Sequence, residues 1–209
     1  MSKRKSSAEP QPTATKSTTD PDLARAQQLV LEMMAIPAKS GEEAVVAKYI
    51  REKLLAAGAP PDAITTDNAH KHALIKGDTG NLILKLPGTI KGPRRMLSAH
   101  MDTVPICVGC QPKVEGKFVR SANPATGLGA DDRAGAATIL TAAREILERK
   151  LPHPPLTFCW FIQEEIGLQG ARYLQMNQLG KPAMCFNWGG GSSQKITIGA
   201  TGGVPRSIC

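Results

Sequence analysis

The feature that most constrains this chain is a set of three short acidic motifs, each of which follows or ends a brief apolar run. Such runs are typical of buried strands, and an α/β protein exposes functional side chains where its strands end. Side chains from three such positions can converge on one site. The candidate residues are His100 and Asp102 in the first motif, Asp131 and Asp132 in the second, and Glu164 and Glu165 in the third.

His100 and Asp102 lie two positions apart in the segment Ser-Ala-His-Met-Asp-Thr-Val-Pro. Along an extended chain, side chains at this spacing point to the same face. A single histidine is most often a structural or surface residue. An imidazole with a nearby carboxylate suits a metal site, so the pair indicates a metal ligand more strongly than His100 alone.

The adjacent carboxylates of the other two motifs each allow a structural and a functional interpretation. Asp131 and Asp132 follow a Gly-Leu-Gly-Ala segment and repel each other unless a cation or hydrogen-bond donors balance their charge. Acidic side chains also cap the start of a helix. For Asp132 both interpretations stay open, whereas for Asp131 the pattern favours a ligand. Glu164 and Glu165 end an apolar strand, where a solvated pair is the alternative to a site.

Composition limits the other classes of protein. The 209 residues suffice for one domain, and the low aromatic content of 4% favours α/β over an aromatic-rich β-sandwich or a base-stacking module. The net charge of +8 would permit binding to nucleic acid. No RNA-binding or DNA-binding motif accompanies that charge, so a nucleic-acid-binding protein ranks last among the alternatives, and we predict no nucleic acid partner.

The sequence also bears on location. It has no apolar run of roughly 18 residues or more, so no membrane-spanning helix and no membrane partner are predicted. The N-terminal basic cluster continues into Ser, Pro and Thr instead of the apolar stretch of a signal peptide. The odd number of cysteines, 5, indicates a reducing compartment. A cytoplasmic location is predicted.

The order of patterns along the chain predicts the fold. Residues 1–20 are predicted to form a disordered tail, because Ser, Thr, Pro and Lys dominate them. Helical spacing follows, and Ser40 with Glu43 matches a capping box for a second helix. Extended runs, among them residues 73–75 and 195–198, then alternate with helical patterns. We predict an α/β fold with a mixed β-sheet covered by helices on both faces.

With these motifs the chain resembles the two-zinc peptidases that include peptidase T, aminoacylase and related carboxypeptidases. The matching segments are Ser-Ala-His-Met-Asp-Thr-Val-Pro, Thr-Gly-Leu-Gly-Ala-Asp-Asp-Arg-Ala-Gly and Glu-Glu-Ile-Gly-Leu-Gln-Gly-Ala. The resemblance covers about residues 20–203 and looks closest to peptidase T, an aminopeptidase acting on tripeptides. It implies a three-layer catalytic domain over residues 21–209, a short peptide as substrate and Zn²⁺ as cofactor.

The same resemblance implies a role for each candidate residue. His100 would bind one metal, Asp131 would bridge both metals, and Glu165 would bind the second. Asp102 would orient a ligand from behind, and Glu164 would be the general base that takes a proton from a water molecule.

The chain departs from the family's pattern in two places. The family has a further acidic ligand in a stretch that commonly ends in Asp-Gly-Gly, and here Gly189 stands in its place, with Asn187 as a neutral donor nearby. The family's last histidine ligand lies beyond a lid and dimerisation domain, and after Gly203 the residues stop following the pattern, as a frameshift or early stop would produce. These departures predict a C-terminally truncated, N-terminal part of the catalytic domain that binds fewer than two zinc ions.

The sequence therefore predicts a peptidase T-like zinc-dependent metallopeptidase that acts on short peptides, with little or no turnover by this chain. The alternative is a non-catalytic metal-binding or interaction remnant of the family, and the oligomeric state stays open. Cys107 and Cys110 form a single Cys-x-x-Cys pair without a second pair, so a structural zinc or redox site is a lesser alternative.

Overall fold

The computed structural model describes residues 20–189 and 194–198. Most of the predicted tail and the residues after Gly203 lie outside the described residues. Two helices open the fold, α1 (Leu23–Ala35) and α2 (Ala44–Ala56). The Arg25 N–H donates to the Asp22 side chain at 3.1 Å and so satisfies one of the free donors at the start of α1. No helix within the described ranges is long and apolar enough to cross a bilayer.

The centre of the fold is a five-stranded mixed sheet, formed by β1 (Ile64–Thr66), β2 (Leu82–Leu86), β3 (Arg95–His100), β6 (Leu156–Phe161) and β7 (Met184–Asn187). Across the sheet the strand order is β1-β2-β6-β3-β7. The middle strand β6 is antiparallel to β2 and parallel to β3, and β3 is also parallel to β7. The prediction of a mixed sheet is confirmed. A separate hairpin of β4 (Pro112–Glu115) and β5 (Phe118–Ser121) lies outside this sheet.

Apolar side chains fill both faces of this sheet. Along β6, Phe158 and Trp160 enter the larger core cluster, while Cys159 between them enters a smaller one because successive side chains of a strand alternate in direction. The larger cluster packs against α1, α2 and the long helix α3 (Ala130–Arg149). The smaller cluster lies beneath the chain that carries α4 (Gln169–Arg172) and the 3₁₀ turn Met176–Leu179. Helices therefore cover both faces, as predicted.

The parallel pairing of β3 and β6 determines where the motifs meet. Their register places His100 beside Phe161, so the first and third motifs leave the sheet at the same edge. Between β3 and β6 the chain enters α3 through Gly129. This glycine has a left-handed conformation with φ of 71°, which glycine adopts without steric cost. The second motif, Asp131 and Asp132, lies in the first turn of that helix.

Three local predictions are wrong, one helix cap and two strands. The capping box at α2 does not form: Glu43 makes no capping hydrogen bond, and the Ser40 hydroxyl donates to Asp102 Oδ2 at 2.7 Å. The first N–H of the helix, that of Ala44, donates instead to Asp78 Oδ1 at 2.9 Å. The runs 73–75 and 195–198 are not strands in the described chain. Their large apolar side chains are exposed, Leu74 by 79% and Ile196 by 88%, so little burial stabilises an extended pairing there.

Candidate metal centre

His100 ends β3 with its imidazole almost fully buried. Its Nδ1 lies 3.1 Å from the backbone oxygen of Asp102 and 3.3 Å from Asp102 Oδ1. A proton on Nδ1 is held by these two acceptors, which leaves Nε2 as the nitrogen available to a ligand. Nε2 lies 3.1 Å from Asp131 Oδ1 and 3.8 Å from Glu164 Oε2. The ring thus directs its free nitrogen at acidic oxygens.

The predicted ligands converge. One nitrogen of His100 and one carboxylate oxygen each of Asp131 and Glu165 lie within 4.8 Å of one another. The three residues come from the end of β3, the first turn of α3 and the turn after β6, which are 31 to 34 positions apart in successive steps along the chain. The structure therefore brings together the three side chains that the motifs singled out as ligands.

Asp102 lies behind this cluster and is fully buried. Its Oδ1 accepts the Glu164 N–H at 3.0 Å, and its Oδ2 accepts the Glu165 N–H at 3.2 Å. Burial raises the pKa of Asp102, but hydrogen bonds from His100 and from Ser40 outweigh burial and lower it. Asp102 is therefore an ionised acceptor that joins the first and third motifs.

Asp132 is part of the scaffold and not of the ligand cluster. Its Oδ2 accepts the His100 N–H at 3.1 Å, and its Oδ1 accepts the Gly135 N–H at 3.1 Å. The side chain is buried, and burial raises its pKa to about 7. Of the two interpretations that the sequence left open, the structural one applies: Asp132 links the end of β3 to the first turn of α3.

The electrostatics of the cluster favour a cation. Burial alone would lower the pKa of His100, but the hydrogen bond and charge of Asp102 outweigh it and raise that pKa to about 9. Burial raises the pKa of Glu165, and the charge of Asp131 adds to this effect although His100 opposes it. Protons bound here relieve repulsion between clustered carboxylates, as a metal cation would. One imidazole and two carboxylates are also ligand types that Zn²⁺ accepts, so the donor set fits a divalent metal.

The cluster opens into a cleft of about 310 Å³ at the edge of the sheet. Gly189 lines this cleft together with His100 and Glu164, and Asn187 lies beside them. The Ser98 hydroxyl donates to Asn187 Oδ1 at 2.8 Å, so that amide oxygen already accepts a hydrogen bond within the protein. Gly189, where the sequence departs from the acidic ligand of the family's pattern, therefore lies at the site itself. It brings no side chain to the cleft that His100 and Glu164 line.

The Cys-x-x-Cys pair does not build a second metal site within the described chain. Cys110 is buried, and its thiol donates to the Leu128 oxygen at 3.4 Å, while burial raises the pKa of Cys107. Neither thiol joins a group of three or more potential ligands among the described residues.

Sequence reasoning missed two buried charged residues behind the site. Glu43 is fully buried, and its Oε1 accepts the Gly41 N–H at 2.9 Å and the Gln163 N–H at 3.0 Å. Arg133 is 1% exposed, and its Nη2 donates to the backbone oxygens of Ile36 and Ala38. Burial lowers the pKa of Arg133 to about 10, although the negative charges of Asp102 and Glu43 oppose this shift.

The pKa of Glu43 predicts a pH-dependent stability. Burial raises that pKa from 4.5 to about 7, the two N–H donors oppose this, and the charge of Asp102 adds to it. Because the folded protein holds this proton more tightly than the unfolded chain, the contribution is present below pH 4.5 and is lost as the pH rises through about 7. We expect wild-type stability to fall by about 2 kcal/mol relative to Glu43→Gln between roughly pH 5 and pH 8.

Urea unfolding with a chelator present, repeated across this pH range, measures the difference. Glu42→Gln is the matched control, because Glu42 is exposed and pairs only with Lys39 among the contacts described for it. Its stability difference from wild type should not vary with pH. A difference for Glu43→Gln that is equally flat would contradict the prediction.

Comparison with known proteins agrees with this geometry. The sequence profile described as Peptidase family M28 matches residues 81–195, a span that contains all three motifs. The chain belongs to peptidase family M28. The resemblance to metal-dependent peptidases that the motifs indicated is thereby confirmed at the level of the family.

Solved structures similar to this M28 chain include two peptidases. A tripeptidase from Staphylococcus aureus subsp. aureus Mu50 aligns with a TM-score of 0.74 and 29% identity, over 82% of this chain and 44% of that one. Aminopeptidase PepT from Bacillus cereus ATCC 10987 aligns with a TM-score of 0.74 and 26% identity, again over 82% and 44%.

A third relative is the uncharacterized protein YqjE of Bacillus subtilis strain 168. It is 32% identical over 149 residues, which are 71% of this chain and 38% of that protein. The M28 chain therefore spans less than half the length of each of these three relatives.

Proposed function

We propose that this chain carries the metal centre of a zinc-dependent peptidase that hydrolyses short peptides from the amino end, in the manner of peptidase T. The observation that carries the proposal is the convergence of His100, Asp131 and Glu165 within 4.8 Å, with Glu164 beside them in an open cleft. The similarity to a tripeptidase and to an aminopeptidase supports the substrate class.

In this proposal His100, Asp131 and Glu165 hold the metal, and each offers it one ligand atom. A divalent metal held there would act as a Lewis acid towards the scissile carbonyl and lower the pKa of a water molecule. Asp102 fixes the proton on His100 Nδ1 and so keeps Nε2 as the metal-binding nitrogen. The cytoplasm, where thiols stay reduced, is the compartment in which we expect this activity.

Glu164 is the general base of the proposed reaction. Its Oε2 lies 3.8 Å from His100 Nε2, its side chain is part-exposed, and it lines the cleft that would admit a peptide. A carboxylate in this position can take a proton from water and transfer it to the departing amine. The Glu164 N–H is held by Asp102, which fixes the point from which the side chain reaches into the cleft.

A second candidate function is a metal-binding protein without turnover, and the observation that favours it is Gly189. The cleft wall at that position offers no carboxylate, so the site has fewer acidic ligands than the family pattern supplies. Two metals normally require more protein ligands than three. In this alternative the same three residues bind one metal and no peptide is cleaved.

Zinc titration followed by a tripeptide hydrolysis assay separates the two functions. We expect the purified chain to bind about one Zn²⁺ and to show slow, chelator-sensitive hydrolysis that Glu164→Gln removes while zinc binding persists. Zinc binding without hydrolysis would favour the second candidate. Absence of zinc binding at micromolar concentrations would contradict both candidates.

A further inference from the structure

Three consecutive backbone N–H groups at the third motif are held by two buried carboxylates. Those of Glu164 and Glu165 donate to Asp102, and that of Gln163 donates to Glu43 Oε1 at 3.0 Å. Glu43 lies 120 positions earlier in the chain and is fully buried. It is therefore a tertiary contact to the turn that carries two of the proposed functional side chains.

Gln163 is the residue of that turn that needs support. Its φ is 49°, in the left-handed region, which costs free energy for a residue with a side chain and persists only when its surroundings hold it. Glu43 holds its N–H, the Gln169 N–H donates to its backbone oxygen at 3.0 Å, and its own amide donates to the Ile75 oxygen at 2.9 Å. The backbone conformation of Gln163 therefore sets the positions from which the side chains of Glu164 and Glu165 extend.

The hydrogen bonds of Glu43 account for its position better than its charge does. One oxygen, Oε1, accepts both N–H groups, while Oε2 has no hydrogen-bond partner among the described residues. Asp102 nearby already carries a negative charge facing Arg133, so a second buried anion adds repulsion. An uncharged acceptor in the same place would keep both hydrogen bonds.

We propose that Glu43 is a positioning residue of the metal centre, which fixes the left-handed backbone of Gln163 through the hydrogen bonds it accepts and thereby orients Glu164 and Glu165. The ligand in question is a divalent metal cation, and this part of the inference rests on the proposed function. Glu43 acts through the backbone of the turn and touches neither metal nor substrate.

The test is a pair of substitutions that separate the position of the acceptor oxygen of residue 43 from the charge of its side chain. Glu43→Gln keeps an acceptor oxygen at the same reach and loses the charge, whereas Glu43→Asp keeps the charge and shortens the side chain by one methylene. For Co²⁺ titrated into the full chain, we expect Glu43→Gln to bind within about threefold of wild type and Glu43→Asp to bind about tenfold more weakly, as loss of an outer partner typically does. The visible absorption spectrum of bound Co²⁺ should change in Glu43→Asp only.

Glu42→Gln serves as the control, because its exposed side chain lies next in sequence and does not reach the turn. Equal losses in Glu43→Gln and Glu43→Asp, a loss in Glu43→Gln alone, or no loss in either would each overturn the proposal.

Amide hydrogen exchange gives a second readout that needs no metal. The Gln163 N–H should stay protected in Glu43→Gln and exchange at least about tenfold faster in Glu43→Asp, since its acceptor is withdrawn. If wild type binds no Co²⁺, the proposed metal site fails, while the exchange rates still decide whether Glu43 holds the turn. Unchanged Gln163 exchange in Glu43→Asp would show that it does not.

Discussion

Replacement of Asp131 by alanine is expected to lower Zn²⁺ affinity by about 100-fold or more while changing the free energy of unfolding by less than about 1 kcal/mol. The side chain of Asp131 is 63% exposed, and its described contact is with His100 Nε2. Exposed ion pairs contribute little to stability, so the fold loses almost nothing. The metal loses one of its three proposed ligands, since one Asp131 oxygen lies within 4.8 Å of the ligand atoms of both His100 and Glu165.

The matched control is alanine at Asp102, the same chemical change at a buried position. Asp102 accepts hydrogen bonds from the backbone of Glu164 and Glu165 and from the Ser40 hydroxyl. Removing it leaves several buried donors unpaired, and we expect a loss of about 3 to 5 kcal/mol in stability as well as weaker zinc binding.

Zinc calorimetry and urea unfolding in a chelator measure the two quantities for each variant. If Asp131→Ala retained wild-type affinity, the three-residue cluster would not be the metal site. If Asp131→Ala destabilised the fold as much as Asp102→Ala, then Asp131 would be a structural residue and its proposed role as a metal ligand would fail.

The convergence of the three motifs was predictable because each motif carries a local signal. A short apolar run marks β3 and another marks β6, and an acidic pair after glycine marks the start of α3. The carboxyl ends of neighbouring parallel strands meet at one edge of a sheet. The register that pairs His100 with Phe161 realises this expectation.

The support behind the site was not predictable, because it depends on partners far away in sequence. Ser40 and Glu43 match a capping box, which is a local pattern, yet their partners are Asp102 and Gln163, 62 and 120 positions away. Buried hydrogen bonds to these distant residues therefore stabilise the two side chains more than capping the start of a helix would. The left-handed conformation of Gln163 has no sequence signal either, since left-handed residues are usually glycine or asparagine.

The two incorrectly predicted strands also show that a local sequence pattern does not reveal its tertiary partners. Residues 73–75 are consecutive apolar residues, and residues 195–198 alternate polar and apolar residues. A strand also requires a neighbour with free backbone groups and a surface to cover. Within the described chain, β1 and β7 are the outer strands of the sheet, and neither run pairs with them. Local pattern therefore predicts the interior strands better than the outer ones.

Restoring a carboxylate by Gly189→Asp is expected to raise Zn²⁺ affinity about tenfold, which corresponds to roughly 1.4 kcal/mol. Gly189 lines the cleft beside His100 and Glu164, and its φ lies outside the left-handed region, so a side chain is tolerated there. A Cβ at Gly189 would meet Asn187 Nδ2 at 2.9 Å. That amide is the end of a flexible side chain and can shift to donate to the new carboxylate.

Gly189→Asn is the matched control for this gain, because it has the same shape and hydrogen-bonding reach without the charge. Zinc titrations of the two variants against wild type separate a new ligand from a general tightening of the cleft. We expect affinity to rise in Gly189→Asp and to stay within about threefold of wild type in Gly189→Asn, since a carboxylate binds Zn²⁺ far better than a neutral amide. A gain of equal size in both variants, or none in Gly189→Asp, would show that position 189 does not face the metal.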